Sequence, residues 1–304
     1  MLDMYDVAII GGGPAGLTAA IYAKRAKLNV VVFESESYGG KLTKTFEINN
    51  YPGIKSISGI ELANNFIEHA KDYNIEIVNS IAIKIDNKDN EKIISLSNGQ
   101  IYKSKTIILC TGLKETPLQL PRVKEFEGRG ISYCAVCDGF FFKDKPVAVI
   151  GGGNSALEEA LHLTNLVSKL HIIIRRDEFR ADKSIVEQIL NNEKVVVHYK
   201  SLPHELVIEN DKIIGLQIKN VDNNQIDTIE VNGIFPYLGQ TPISDLVDPS
   251  IVNEKGYIIV DQNMSTTIPG IYAAGDCIEK NLRQIITACN DGAIAATSIV
   301  KYLK

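Results

Sequence analysis

The chain has 304 residues and a formal net charge of −5, with 45% hydrophobic and 23% charged residues. This length predicts two domains, and the composition excludes disordered and fibrous proteins. The acidic balance, with no basic run, argues against nucleic acid or an anionic membrane as a partner. The apolar runs fall short of the roughly 20 residues that cross a bilayer, and the N-terminus lacks a signal-peptide pattern, so we expect a cytoplasmic protein.

The clearest internal feature is a near-duplicate segment. Val7–Gly16 reads VAIIGGGPAG, and Val147–Ala156 reads VAVIGGGNSA. In each copy a short apolar run predicts a strand, glycines predict a turn, and helical periodicity follows. This order predicts an α/β fold with two Rossmann-like domains, each opening on a β-α-β unit. The predicted helices are Leu17–Lys27 and Leu157–Val167, and the strands after them are Asn29–Phe33 and Lys169–Ile174.

The first glycine loop has the spacing of a dinucleotide-binding turn. Missing side chains let the turn close and the backbone approach a pyrophosphate, and the helix N-terminus adds N–H groups and partial positive charge. Glu34 ends the next strand, where a carboxylate accepts hydrogen bonds from ribose hydroxyls and favours FAD or NAD. A tight turn without a ligand is the alternative. The candidate contacts are Gly11, Gly13, Pro14, Ala15, Gly16 and Glu34.

The second glycine loop differs at the position that selects the nucleotide. Its second strand leads into an arginine cluster instead of an acid. Guanidinium groups bind a 2′-phosphate through charge-assisted hydrogen bonds, so this loop predicts NADPH; a solvated turn is the alternative. The candidate contacts are Gly151, Gly153, Asn154, Ser155, Ala156, Arg175, Arg176 and Arg180.

Two dinucleotide units without a separate substrate domain suggest that one cofactor passes electrons to the other, and flavin with NADPH is the natural pair. Gly270–Gly275 is a predicted strand ending in a small-residue turn, and Asp276 after it is placed to meet ribityl or pyrophosphate-linked groups. Thr111 and Gly112, which follow the predicted core strand Thr106–Cys110, belong to the same candidate site.

Alternating segments connect these units. Each β-α-β unit is followed by a predicted β-meander that returns to a core strand. Turn-rich stretches at Gly112–Pro117 and Gly239–Pro242 bracket the second unit and resemble paired linkers, although two ordinary surface loops would read the same way. We therefore predict a domain over 1–113 and 243–304 that binds FAD, and an inserted domain over 114–242 that binds NADPH and carries a CxxC motif. The other predicted strands are Ala82–Asp86, Lys92–Leu96, Lys194–His198, Glu205–Ile208, Ile213–Ile218, Gly233–Tyr237 and Tyr257–Val260, and a C-terminal helix begins near Gln284.

The CxxC motif is Cys134-Ala-Val-Cys137, followed by Asp138. Zinc needs about four ligands, and the sequence has no second CxxC or paired histidines, so a metal site is not favoured. Two intervening residues on the first turn of a helix let the sulfurs meet, and a helix N-terminus favours a thiolate. Asp138 is a candidate proton donor or acceptor, or simply an acid at a helix start.

Four segments together resemble the low-molecular-weight bacterial thioredoxin reductases over essentially the whole chain. They are GRGISYCAVCDGFF at 128–141, GGGNSALEEA at 151–160, RRDEFR at 175–180 and IPGIYAAGD at 268–276. The resemblance implies electron flow from NADPH to FAD, then to the cysteine pair and finally to thioredoxin. It also implies that Cys137 lies beside the flavin, that Cys134 attacks the thioredoxin disulfide, and that the NADPH domain swings between these tasks.

The same resemblance implies further flavin contacts and a homodimer. The contacts are Gly40, Lys41, Asn50, Arg283, Gln284 and Ile285. The chain departs from the family pattern at three informative places. Lys41 stands where glutamine is usual, Ile285 where alanine is usual, and Ile174 where histidine precedes the paired arginines.

Three alternatives share parts of this pattern. A ferredoxin-fed reductase of the same architecture tends to lose the second glycine loop and its arginines, which this chain keeps. A flavin-containing ferredoxin:NADP reductase lacks the redox CxxC motif. A non-catalytic sensor would bind dinucleotides and report redox state to a partner without disulfide turnover.

Overall fold

The structure is a computed structural model that describes residues 4–35, 38–45, 47–88 and 91–304. It divides into two compact units: one comprises the chain up to Lys114 together with Thr241–Lys304, and the other is Glu115–Gln240. The α/β fold class with one Rossmann-like domain inserted in another is confirmed. The predicted domain boundaries follow residues 113 and 242, and the observed boundaries follow residues 114 and 240. The assignment of a cofactor to each domain stays a prediction.

The elements run through the two units in chain order. Before the insertion they are β1 Met4–Ile10, α1 Pro14–Arg25, β2 Val30–Glu34, α2 Gly59–Asp72, β3 Glu76–Asn79, β4 Ala82–Lys88, β5 Glu91–Leu96, β6 Ile101–Leu109 and β7 Leu113–Glu115. The inserted unit contains α3 Val123–Phe126, α4 Ala135–Asp138, β8 Pro146–Ile150, α5 Asn154–Thr164, β9 Lys169–Ile173, α6 Lys183–Leu190, β10 Val195–His198, β11 Ser201–Glu209, β12 Lys212–Asn220, β13 Ile226–Glu230 and β14 Gly233–Pro236. The chain then forms β15 Gln240–Pro242, β16 Ile271–Ala273 and α7 Ile285–Tyr302, and three short 3-10 segments cover Gly40–Lys44, Gly139–Phe142 and Pro249–Ile251.

The first unit is built on a sheet in the order β3-β2-β1-β6-β5-β4. β3, β2, β1 and β6 are parallel, while β5 and β4 run antiparallel. The last part of β6 also pairs in parallel with β16. Val7–Ile10 is buried throughout, as expected for a parallel strand covered on both faces. Helix α7 packs so closely on α1 that a side chain at Gly292 would overlap the carbonyl oxygen of Ala15.

The inserted unit repeats this plan. Its main sheet is parallel, in the order β10-β9-β8-β14, and β11, β12 and β13 form a separate antiparallel sheet. The order β3-β2-β1-β6 in the first unit thus corresponds to the order β10-β9-β8-β14 in the inserted unit. This is the half-unit arrangement of a dinucleotide-binding fold, in which the ligand binds at the carboxyl ends of the strands.

Several sequence predictions needed correction. Helices α1 and α5 each begin three residues earlier than predicted, because Gly13 and Gly153 are extended N-caps and the helix starts at once. Tyr257–Val260 is not a strand: only Ile258 forms single bridges, and the Tyr257 N–H donates to the side chain of Asn253 instead of a neighbouring strand. The sequence analysis also missed α2, β3, β7, α3, α6, β13 and β15, of which β7 and β15 are short strands within the predicted turn-rich stretches. Among the described residues, no helix is both long and apolar enough to span a membrane.

Candidate dinucleotide and redox sites

The first glycine loop uses its glycines in two different ways. A side chain at Gly11, whose φ is 111°, would overlap the carbonyl oxygen of Cys110, and one at Gly16 would overlap that of Gly11. Gly13 has no atom within 4 Å of the position that a Cβ would take. Gly11 and Gly16 therefore allow the backbone path, whereas Gly13 leaves open space beside the start of α1, where Pro14 is the first helical residue.

Glu34 holds this loop from the end of β2. It is 8% exposed, and its Oε2 accepts a hydrogen bond of 2.6 Å from the Gly12 N–H. The Gly39 N–H donates to the Gly12 carbonyl, and a Cβ on Gly40 would lie 3.4 Å from the Cα of Gly13. These contacts bring Glu34 and the Gly40–Lys44 turn to the glycine loop. The Lys41 ammonium in that turn is buried.

The Gly275–Asp276 turn lies against the same loop. Gly275 has φ 85°, and an added Cβ would come within 2.9 Å of the Ala15 Cβ. The Asp276 Oδ1 is buried and accepts no hydrogen bond from the described residues, although the Lys280 Nζ lies 3.7 Å away. A buried carboxylate oxygen without a hydrogen bond is costly, so this atom fits a site that a hydroxyl-bearing ligand completes. The residues present therefore fit a flavin dinucleotide.

Thr111 and Gly112 hold the segment after β6. The Thr111 hydroxyl donates to the Ile243 carbonyl over 2.5 Å, and the Ile243 N–H donates to the Gly112 carbonyl over 3.2 Å. Both residues also hydrogen-bond with Cys277, which directly follows Asp276. The two residues are thus brought to the Asp276 turn.

The residues that the family resemblance marks as flavin contacts near the C-terminal helix also lie close to one another. The Asn50 amide donates to the Gln284 side chain over 3.1 Å. The Arg283 guanidinium donates to the carbonyls of Asp276, Ile278 and Lys280 and stacks over the Tyr257 ring at 4.2 Å. Ile285 packs on the apolar cluster that contains Leu42 and Leu62. Arg283 therefore fixes the loop from which Gln284 extends.

The second glycine loop has the same construction. Gly151 has φ 142°, and Gly153 has no atom within 4 Å of a Cβ position. The Arg180 N–H donates to the Gly152 carbonyl over 2.7 Å, which places the arginine segment beside the loop. Arg175, Arg176 and Arg180 are exposed, as are Asn154 and Ser155 at the start of α5, while Ala156 is buried.

Ile174 does not disturb this arrangement. Its side chain is 3% exposed and belongs to the core cluster that includes Val147 and Phe235. A Cβ on Gly152 would lie 2.9 Å from the Ile174 Cγ2, so the Ile174 side chain packs directly against the glycine loop. The exposed cations come from the residues that follow it.

The redox motif forms a disulfide-bonded turn. Cys134 and Cys137 are joined by a disulfide, with Cα atoms 5.3 Å apart. Cys134 is the N-cap of α4, and the Cys137 N–H donates to its sulfur over 3.1 Å. The Ser132 hydroxyl donates to Asp138 Oδ2 over 2.6 Å and accepts from the Cys134 N–H over 3.1 Å. Asp138 is thereby held beside the pair.

Sequence reasoning missed two features around this turn. Phe140 and Phe141, directly after the motif, are each 70% exposed. On α5, burial and, to a lesser extent, the charge of Glu158 raise the pKa of Glu159 to about 7. Each had a sequence signal: an aromatic pair beside polar residues, and an acid three residues from the buried Ala156 on the helix face that packs inward.

The chain matches the pyridine nucleotide-disulphide oxidoreductase family over residues 5–292. It is 41% identical over 303 residues to a thioredoxin reductase of Bacillus subtilis (strain 168), covering 99% of this chain and 95% of that protein. The structure resembles Lactococcus lactis thioredoxin reductase with a TM-score of 0.95, 39% identity and coverage of 98% and 99%. For T. acidophilum thioredoxin reductase the TM-score is 0.92, with 33% identity and 98% of both chains covered. The chain therefore belongs to the pyridine nucleotide-disulphide oxidoreductase family, and is an oxidoreductase that uses a flavin and a nicotinamide nucleotide.

Proposed function

We propose that this protein is a thioredoxin reductase that passes electrons from NADPH through FAD and the Cys134–Cys137 pair to oxidised thioredoxin. The observation that carries the proposal is the Cys134–Cys137 disulfide, held in a unit that has its own dinucleotide loop. The similar proteins of Bacillus subtilis and Lactococcus lactis are thioredoxin reductases.

FAD is the proposed flavin of the first unit. The Gly11–Gly16 loop would take the pyrophosphate, Glu34 a ribose, and Asp276 the ribityl chain or groups linked to the pyrophosphate. Asn50 and Gln284 would contact the ring system. A flavin held by these residues would supply the two-electron transfer that links a nicotinamide to the disulfide.

NADPH is the proposed nicotinamide nucleotide of the inserted unit. Exposed guanidinium groups beside the Gly151–Ala156 loop are suited to a 2′-phosphate, which a carboxylate in that position would repel. The first unit has Glu34 at the corresponding place, so the two loops would select different nucleotides. The retained arginines also favour NADPH over ferredoxin as the electron donor.

The two cysteines have different proposed tasks. The Cys137 N–H donates to the Cys134 sulfur, and such a hydrogen bond favours a thiolate on Cys134. Cys134 would attack the disulfide of thioredoxin, and Cys137 would then displace the reduced partner. Asp138 would hold the proton that the departing thiolate takes up, since Ser132 keeps its carboxylate beside the pair.

Two further parts of the proposal concern association and location. The exposed rings of Phe140 and Phe141 offer an apolar docking surface beside the redox pair, which suits a small disulfide protein. Tyr22, Leu282 and Ile286 are exposed on the first unit and would be covered in a homodimer. A cysteine pair that cycles between disulfide and dithiol suits the reducing cytoplasm.

The test is an anaerobic reaction of the purified yellow protein with NADPH, followed by flavin absorbance. We expect prompt bleaching, which oxidised thioredoxin reverses. Bleaching by dithionite but not by NADPH would exclude NADPH as the donor and favour the ferredoxin-fed alternative. The Cys134→Ser/Cys137→Ser variant should still be bleached by NADPH but should not reduce thioredoxin; unchanged thioredoxin reduction would exclude the proposed relay.

A further inference from the structure

The backbone N–H groups of the redox turn are capped by side chains, two of them local and two from distant parts of the inserted unit. The first N–H groups of a helix have no partner within the helix, so each must find another acceptor. The N–H of Cys134 donates to Ser132 Oγ, that of Ala135 to the Tyr237 hydroxyl over 3.3 Å, that of Val136 to the Glu159 carboxylate, and that of Cys137 to the Cys134 sulfur.

Glu159 is the cap that carries a charge. It accepts from the N–H of Val136, one of the two residues between Cys134 and Cys137, so its carboxylate is hydrogen-bonded to the backbone of the redox turn itself. We propose that the Glu159 carboxylate is a positioning residue that fixes the redox turn, and that its negative charge suppresses thiolate formation in the reduced Cys134–Cys137 pair. This inference rests on the redox role of the pair in the proposed function.

The groups around Glu159 determine the pH range over which this charge is present. Burial, followed by the charge of the neighbouring Glu158 on α5, raises the pKa of the Glu159 carboxyl to about 7, so the carboxylate is fully charged only above that pH. Glu159 in turn acts with burial to raise the pKa of Tyr237, which therefore stays a neutral phenol. Asp138 on α4 adds a further acid close to the pair. The Glu159 Oε2 is buried and has no hydrogen-bond partner among the described residues, so its charge is weakly shielded.

The chemistry that responds to this charge is the reduction of the disulfide. Breaking the Cys134–Cys137 bond takes up two electrons and two protons to give two thiols, and one thiol then releases a proton to become the attacking thiolate. A nearby carboxylate disfavours that second anion and raises the thiol pKa. Because the pKa of Glu159 is about 7, the carboxylate and the thiol should titrate over overlapping pH ranges.

The test measures thiolate formation directly in the flavin-loaded protein. Dithiothreitol reduces the pair, and the rate of Cys134 alkylation by iodoacetamide is followed by mass spectrometry from pH 5.5 to 9. Glu159→Gln keeps an oxygen acceptor for the Val136 N–H but removes the charge. Glu187→Gln, an exposed acid on α6, is the matched control.

We expect Glu159→Gln to move the midpoint of the alkylation profile down by about one pH unit, and Glu187→Gln to leave it unchanged. Coincident profiles for wild type and Glu159→Gln would overturn the proposal. If Glu159→Gln does not fold, the wild-type profile decides: coupling to Glu159 requires a broad, two-step dependence, and a single ionisation contradicts it. Dithiothreitol is the reductant throughout, so a failure of NADPH or thioredoxin to react would refute the proposed function without deciding this test.

Discussion

The amide of Asn50 donates a hydrogen bond to the Gln284 side chain although 234 residues separate them. Asn50 lies in the loop before α2, whereas Gln284 is the N-cap of α7 and forms a capping box with Thr287. The cap fixes the backbone of Gln284, and Arg283 fixes the loop before it. Two residues that the family resemblance marks as flavin contacts thus hold each other in place.

A double-mutant cycle tests the coupling between Asn50 and Gln284. Asn50→Ala and Gln284→Ala should each weaken flavin binding several-fold, because each would remove a proposed flavin contact and leave the other amide without its partner. The double variant should be weaker by less than the product of the two effects, with a coupling free energy of about 1 kcal/mol. Flavin fluorescence titration of the apoprotein measures all four affinities, and strictly additive losses would contradict the coupling.

The glycines of the first loop should separate stability from binding. Gly16→Ala places a methyl group on the Gly11 carbonyl and should lower the free energy of unfolding by more than about 2 kcal/mol. A Cβ at Gly13 would have no atom within 4 Å, so the Gly13→Ala apoprotein should keep its stability but bind flavin more weakly. Urea unfolding and flavin titration distinguish these outcomes. A stable Gly16→Ala apoprotein would be inconsistent with the overlap.

The arginine segment should select between nicotinamide nucleotides. Arg175→Gln, Arg176→Gln and Arg180→Gln should each raise the KM for NADPH by about tenfold, since each would remove one of the charged hydrogen bonds proposed for the 2′-phosphate. The KM for NADH should stay within about twofold. Arg129→Gln, in an exposed turn of the same unit, is the control. Equal losses for both nucleotides would show that the cluster does not read the 2′-phosphate.

Phe140 and Phe141 should act on the partner and not on the cofactors. Phe140→Ala and Phe141→Ala should each raise the KM for thioredoxin about tenfold, because each removes an exposed ring from the proposed docking surface. The rate of flavin bleaching by NADPH should not change. Tyr199→Ala, at another exposed aromatic of the inserted unit, serves as the control. An unaltered KM for thioredoxin in both phenylalanine variants would place docking elsewhere.

The His171–His198 pair should make stability depend on pH. The rings stack on β9 and β10, with His171 Nδ1 2.8 Å from His198 Nε2, and burial, followed by His198 and Lys169, lowers the pKa of His171 to about 4. As pH falls, the unfolded chain takes up a proton near 6.5 and the folded protein near 4. The stability from the neutral pair is therefore complete above about pH 6.5 and is lost between about pH 6.5 and 4.

We expect this loss to reach about 2 kcal/mol in urea unfolding between pH 7 and 4.5. His171→Leu/His198→Leu should flatten the dependence over this range, because the double replacement removes both titrating rings together. His69→Leu, at a histidine exposed on α2, is the control. An equally steep dependence in the double variant would assign it to other groups.

The local features of this protein could be read from its sequence, because short-range backbone geometry imposes them. The turn itself requires glycine at Gly11, whose φ is 111°, and at Gly16, where a Cβ would overlap the Gly11 carbonyl oxygen, and Cys134 and Cys137 meet within one helical turn. These features predicted the two Rossmann-like domains and the redox pair without any long-range information.

Tertiary structure decided which distant groups complete these local features. The sequence marked Asn50 and Gln284 through resemblance alone, and it gave no sign that Glu159 caps the redox turn or that His171 meets His198. Packing of α5 beneath α4, and the parallel pairing of β9 with β10, create those contacts. Such contacts depend on how elements pack rather than on local spacing, because burial of the apolar faces sets the packing and the polar groups then lie where it places them.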